Sequence, residues 1–96
     1  MQPPLRFEWD PKKAASNLKK HGVSFEDGMS VFGDPLARIT DDPRHSEAEE
    51  RYVILGESKR RGLLTVMFTE REKAIRLISA RKATRQERRS YEQEWR

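Results

Sequence analysis

A dense group of cations stands where an aliphatic run meets the start of a helix. In "ISARKATRQE", residues 78 to 87, Arg81 and Lys82 end an apolar strand, and Thr84 with Glu87 three residues on forms a T-x-x-E capping box. A helix start presents unpaired N–H groups and a partial positive charge. A guanidinium fixed beside it makes a place for an anion, phosphate above all. The competing reading pairs Arg81 with a carboxylate, either Glu70 or Glu87, and leaves nothing for a ligand. Arg76 just before this stretch and Arg85 within it extend its basic surface, while Tyr91 and Trp95 follow one turn apart. Aromatics beside arginines stack on the bases of single-stranded nucleic acid. An i, i+4 aromatic pair also packs into a core, which is the reading preferred for Trp95.

Three further side chains have the right chemistry for work on a phosphate. Arg51 opens one strand and Glu70 closes the next, so an antiparallel arrangement is expected to bring charged groups together at one end of a sheet. His45 lies in "PRHSEAEER" beside Arg44 and near Glu49 and Glu50. Its ordinary pKa near 6.5 lets a histidine give or take a proton near neutrality. Each has a plainer alternative, Glu70 as a solvated hairpin carboxylate and His45 as a surface histidine. His21, ahead of Gly22, is explained by a helix C-terminus, which favours a cation.

Composition narrows the field. The 96 residues contain no cysteine, which removes disulfides, thiolate metal sites and thiol nucleophiles together. The histidines are far apart in sequence, and no phosphate-loop, dinucleotide or nucleophile-elbow motif is present. No metal site and no cofactor is therefore expected. The formal charge is +4, but residues 1 to 70 hold eleven Lys/Arg against twelve Asp/Glu, whereas residues 71 to 96 hold nine against four. The basic excess sits in the last quarter, as for a surface that meets a phosphate-rich partner. No long apolar run or signal segment occurs, so the chain is expected to stay in the cytoplasm, off the membrane.

These residues need a frame to hold them. "LRFEWD" alternates as a strand does, and Asp10-Pro11 supplies an N-cap and a preset first helical residue. The pattern predicts a helix to His21 ended by Gly22, then a second short one from Ser24 to near Gly33. "LARIT" reads as a strand, residues 41 to 50 as a loop, and "RYVILGES", "LLTVMFTE" and "AIRLISAR" as three strands joined by short charged turns. In the last strand, strict alternation puts Ile75, Leu77, Ser79 and Arg81 on one face and Arg76, Ile78, Ala80 and Lys82 on the other. The expected fold is a single α+β domain over residues 1 to 96. It has an antiparallel sheet of about four to five strands, two N-terminal helices and a C-terminal helix.

Three segments, "FEWDPKKAASNLKKHGVSFEDGMSVFGDP", "HSEAEERYVILGES" and "IRLISARKATRQERRSYE", carry a family likeness. In this order, from about Phe7 to Tyr91, they resemble the BrnT toxins of bacterial type II toxin–antitoxin systems. The resemblance implies a RelE-like fold and an endoribonuclease that arrests translation. It also implies a neighbouring antitoxin of ribbon-helix-helix type, through which alone the pair would reach operator DNA. On the matching segments it implies Arg81 and Arg51 for phosphate and transition-state charge, Glu70 or His45 for proton transfer, and Lys82, Arg76, Arg85 and Tyr91 as contacts to RNA. The implied chemistry is metal-independent attack by a ribose 2′-OH, which only RNA offers. The alternative is a non-catalytic basic module that binds nucleic acid or a partner protein within a repressor complex.

Overall fold

In a computed structural model of the chain, residues 5–44 and 49–93 are described. The elements are β1 (Phe7–Glu8), α1 (Pro11–His21), α2 (Phe25–Ser30) with a 3-10 turn at Val31–Gly33, β2 (Arg38–Asp41), β3 (Tyr52–Glu57), β4 (Leu63–Arg71), β5 (Ala74–Lys82) and α3 (Arg85–Gln93). The strands form one sheet in the order β1-β5-β4-β3-β2. From β2 to β5 it is an antiparallel meander, and β1 adds to the outside of β5 in parallel.

Local sequence sets the helix ends. Asp10 accepts the Lys12 N–H at 2.8 Å, Pro11 follows, and Gly22 closes α1 at φ 71°, where its N–H reaches the Leu18 carbonyl at 2.8 Å. That early cap stops the "LRFEWD" strand after two residues. Ser24 accepts the Asp27 N–H at 3.0 Å and starts α2. Both helices lie on one face of the sheet. Val23, Phe25 and Val31 meet Ile54, Leu64, Val66, Phe68, Leu77 and Ala80 in the core. A Cβ on Gly28 would stand 3.2 Å from that of Ala80, so α2 sits close on the sheet because position 28 has no side chain.

One prediction about β5 is corrected. Met67 pairs with Ser79 but Phe68 with Leu77, so Ile78 is an extra residue in the ladder. Such a bulge breaks the two-residue alternation. Leu77 and Ala80, expected on opposite faces, both enter the core. Arg76 and Arg81, also expected on opposite faces, lie across from Thr69 and Thr65, which share a side of β4.

Asn17, buried in α1, closes the other side of β5. Its side chain accepts the Ala80 N–H at 3.1 Å and donates to the carbonyls of Ala80 at 2.8 Å and Val23 at 2.9 Å. Strand β1 is too short to reach Ala80, and the asparagine amide satisfies the exposed backbone in its place.

Candidate functional site

The junction of β5 and α3 is built around Glu87. The predicted capping box forms in both directions: the Glu87 N–H meets Thr84 Oγ1 at 3.1 Å and the Thr84 N–H meets Glu87 Oε1 at 2.8 Å. The same carboxylate accepts Arg81 Nη1 at 2.8 Å and Nη2 at 3.0 Å, and Thr65 Oγ1 at 2.9 Å. The Arg81 hydrogen bond holds the Glu87 pKa down to about 2 against the opposing effect of burial. Arg81 is raised in turn by its bond to Glu87. The two end nitrogens of the guanidinium are thus committed, with a further contact from Nη1 to the Lys82 carbonyl at 3.3 Å. The side-on fork of Nε and Nη2 keeps donors for another oxyanion. Lys82 and Arg85 are exposed beside it.

Helix α3 has no buried residue. Polar contacts hold it down the rest of its length. Arg38 Nη1 donates to Ser90 Oγ at 2.7 Å and to its carbonyl at 3.1 Å, and the Tyr91 hydroxyl donates to Asp34 Oδ2 at 2.6 Å. Burial and that hydrogen bond push the Tyr91 pKa up to about 12. Burial works against the Asp34 anion, but Tyr91 and the Glu57 and Leu36 N–H groups outweigh it and keep the Asp34 pKa below the usual carboxylate value. Tyr91, predicted to contact RNA, therefore fastens a helix here.

A second group gathers at the other end of the sheet. Asp42, 1% exposed, lies 3.7 Å from Arg51 Nε and 3.7 Å from Arg44 Nε. Arg51 Nε is buried and makes no hydrogen bond among the described residues. Glu70 is exposed one residue beyond Thr69, whose hydroxyl donates to the Glu50 carbonyl at 2.6 Å. Arg76 pairs with Glu8 at 2.8 Å and Arg71 with Glu49 at 3.1 Å. His45 and Trp95 lie outside the described residues. Among the described residues, no group of three His, Cys, Asp or Glu side chains is placed to hold a metal ion.

The expected meeting of Arg51 with Arg81 does not occur. In a meander, alternate strands run the same way, so the start of β3 and the end of β5 must lie at opposite ends. Arg51 precedes Tyr52, which pairs with Phe68, whereas Arg81 pairs with Thr65. The two backbones are separated by roughly 13 Å along the strands and about 10 Å across them. Glu70, closing β4, falls at the Arg51 end. At the Arg81 end stands a basic hairpin, Lys59-Arg60-Arg61, one of the short charged turns expected between strands. Arg61 Nη2 donates to the Gly22 carbonyl at 2.7 Å, and Arg60 lies 3.7 Å from Asp27. Three consecutive cations were the available signal. Asp42 falls in the stretch expected to be a loop, residues 41 to 50, and nothing local marks it as buried.

Residues 9–87 match the family described as "Ribonuclease toxin, BrnT, of type II toxin-antitoxin system". The fold is similar to the crystal structure of the Brucella abortus ribonuclease toxin BrnT, with a TM-score of 0.65 and 25% sequence identity. That likeness covers 85% of this chain and 100% of the other. A search of curated proteins returns no match.

Proposed function

Because the chain belongs to the BrnT family of ribonuclease toxins of type II toxin–antitoxin systems, we propose that it cuts RNA internally by a metal-independent transesterification. The observation that carries this reading is the Arg51 guanidinium, whose Nε is ion-paired to the buried Asp42 carboxylate at 3.7 Å and makes no hydrogen bond among the described residues. The ion pair fixes the guanidinium while its side chain stays 27% exposed, so its outer nitrogens can meet a phosphate oxygen, a contact that gains most as charge grows in the transition state.

In this reading the cleaved phosphate sits at the Arg51 end of the sheet, and Glu70, which lines the α1–α2 face while Arg51 stands across from Thr69 on the other, reaches it around the sheet edge. Glu70 or His45 removes the proton from the ribose 2′-OH, and the 2′-oxygen forms a bond to the adjacent phosphorus. The P–O5′ bond breaks, and the departing 5′-oxygen takes a proton from the other group. The products are a 2′,3′-cyclic phosphate and a free 5′-OH. Arg81, Lys82 and Arg85 hold phosphates further along the same strand, and Arg76 reaches RNA only by sharing or leaving Glu8. An antitoxin of ribbon-helix-helix type neutralises the activity in the cytoplasm and carries the pair to operator DNA. No described helix is long and apolar enough to cross a membrane.

The test is cleavage of an RNA oligomer by Arg51→Ala beside the parent, with products resolved for a cyclic phosphate and melting temperatures compared. A loss of roughly a hundredfold or more in rate, with folding retained, is expected. Undiminished cleavage would remove Arg51 from the chemistry. The rival reading, a binding module alone, has its support in Arg76 and Arg81, both engaged by carboxylates. Under it, the parent would bind RNA and leave it whole.

A further inference from the structure

Among the described residues, the face that carries α1 and α2 is not covered to its β2 edge. Beyond the helices, Phe32, Tyr52, Ile54 and Phe68 floor a cleft of about 420 Å³, which shares Leu5, Phe32 and Asp34 with a wider one of about 760 Å³. The rings of Phe7, Phe32, Phe68 and Tyr52 follow one another at 5.1, 5.1 and 5.5 Å and give this floor a rigid aromatic row. Its rim is apolar and exposed: Leu5 is 59% and Ile39 58% accessible, with Leu36 at 40% close by in the same loop and strand. Such a contiguous apolar surface marks an interaction site.

The charge of the rim selects the occupant. Of the described charged residues lining the two clefts, Asp34, Glu57 and Glu70 are acidic and Lys59 alone is basic, in a chain whose formal charge is +4. An anionic membrane, or a nucleic acid backbone lying along Asp34 and Glu57, would be repelled here. A protein segment with aliphatic or aromatic side chains and flanking Lys or Arg fits both floor and rim. We infer that this cleft seats an apolar, basic segment of the antitoxin, and that the segment covers Glu70 when bound. The inference rests on the toxin reading above and gives it a mode of inhibition: the partner closes over a proton-transfer carboxylate without touching the Arg81 end.

The experiment titrates the purified chain with the antitoxin encoded beside it, following affinity and inhibition of RNA cleavage together. Ile39→Lys adds a cation to the rim at an exposed position. Leu18→Lys does the same on α1, outside the cleft, where Leu18 is 51% accessible. Expected is an affinity loss of roughly tenfold or more for Ile39→Lys, none for Leu18→Lys, and parental cleavage by both. Equal affinity for the two variants overturns the site. A parent that sediments as a dimer split by Ile39→Lys gives the cleft to a second copy and overturns it as well. So does a gain in antitoxin affinity on removing residues 94–96, which would assign the cleft to the chain's own end. If the parent neither binds the antitoxin nor cuts RNA, it is the toxin reading that fails, before any variant is compared.

Discussion

Arg81 and Glu87, six residues apart, are joined by two parallel hydrogen bonds of 2.8 and 3.0 Å across the β5–α3 junction. Because Glu87 also completes the cap of α3 and accepts from Thr65 of β4, one carboxylate ties strand, helix start and guanidinium together. Such a pair does two things. It fixes the end of a helix that buries no residue, and it orients a cation whose remaining donors face no partner among the described residues.

The first consequence is acid sensitivity. The Glu87 pKa is about 2 in the folded chain against an ordinary 4.5. A depressed carboxylate stabilises the fold fully above its unfolded pKa and loses that contribution as pH falls through the folded value. The stability curve of the parent should therefore drop between about pH 4.5 and 2, while Glu87→Gln should be flatter there. At neutral pH, Glu87→Gln should cost on the order of 2 kcal/mol in urea unfolding, after allowance for solvent around a partly exposed pair. Parallel acid profiles for the two proteins would contradict the assignment.

The parts of the fold that the sequence revealed are those decided within a few residues. Asp10 before Pro11, Gly22 after His21 and Thr84 before Glu87 each act over one helical turn, and each stands where the spacing put it. The bulge at Ile78 was hidden because an isoleucine suits either face of a strand. The partners of Arg51 and Tyr91 were hidden for a different reason. Asp42 and Asp34 are separated from them by 9 and 57 residues, and only the folded sheet edge brings them close. The opposite placement of Arg51 and Arg81 was present in the strand order all along, since one opens a strand and the other closes the next strand but one.

Asn17 offers a test of how the sheet edge is sealed. Its amide serves three backbone groups, the Ala80 N–H and the carbonyls of Ala80 and Val23, all in buried surroundings. Asn17→Ala leaves these without partners and should cost about 3 kcal/mol, with the urea m-value unchanged. Ser16→Ala, at an exposed neighbouring position, should cost less than about 0.5 kcal/mol. A loss below about 1 kcal/mol for Asn17→Ala would mean that water replaces the amide there.

The last prediction separates the two jobs of Arg81. If its side-on fork holds a phosphate, the contact should appear in the salt dependence of RNA binding, because each neutralised phosphate releases counterions. Binding can be followed without cleavage on an RNA whose 2′-hydroxyls are replaced by hydrogen. For a single strand, losing one phosphate contact should lower the slope of log affinity against log salt by about 0.7. Arg81→Gln should show that change, whereas Arg81→Lys, keeping the charge but not the fork, should weaken binding with the slope nearly intact. Both variants disturb Glu87, so melting temperature alone cannot tell a ligand contact from a structural one, and the slope does. Equal slopes for the parent and Arg81→Gln would leave Arg81 as a fastening for α3 and nothing more.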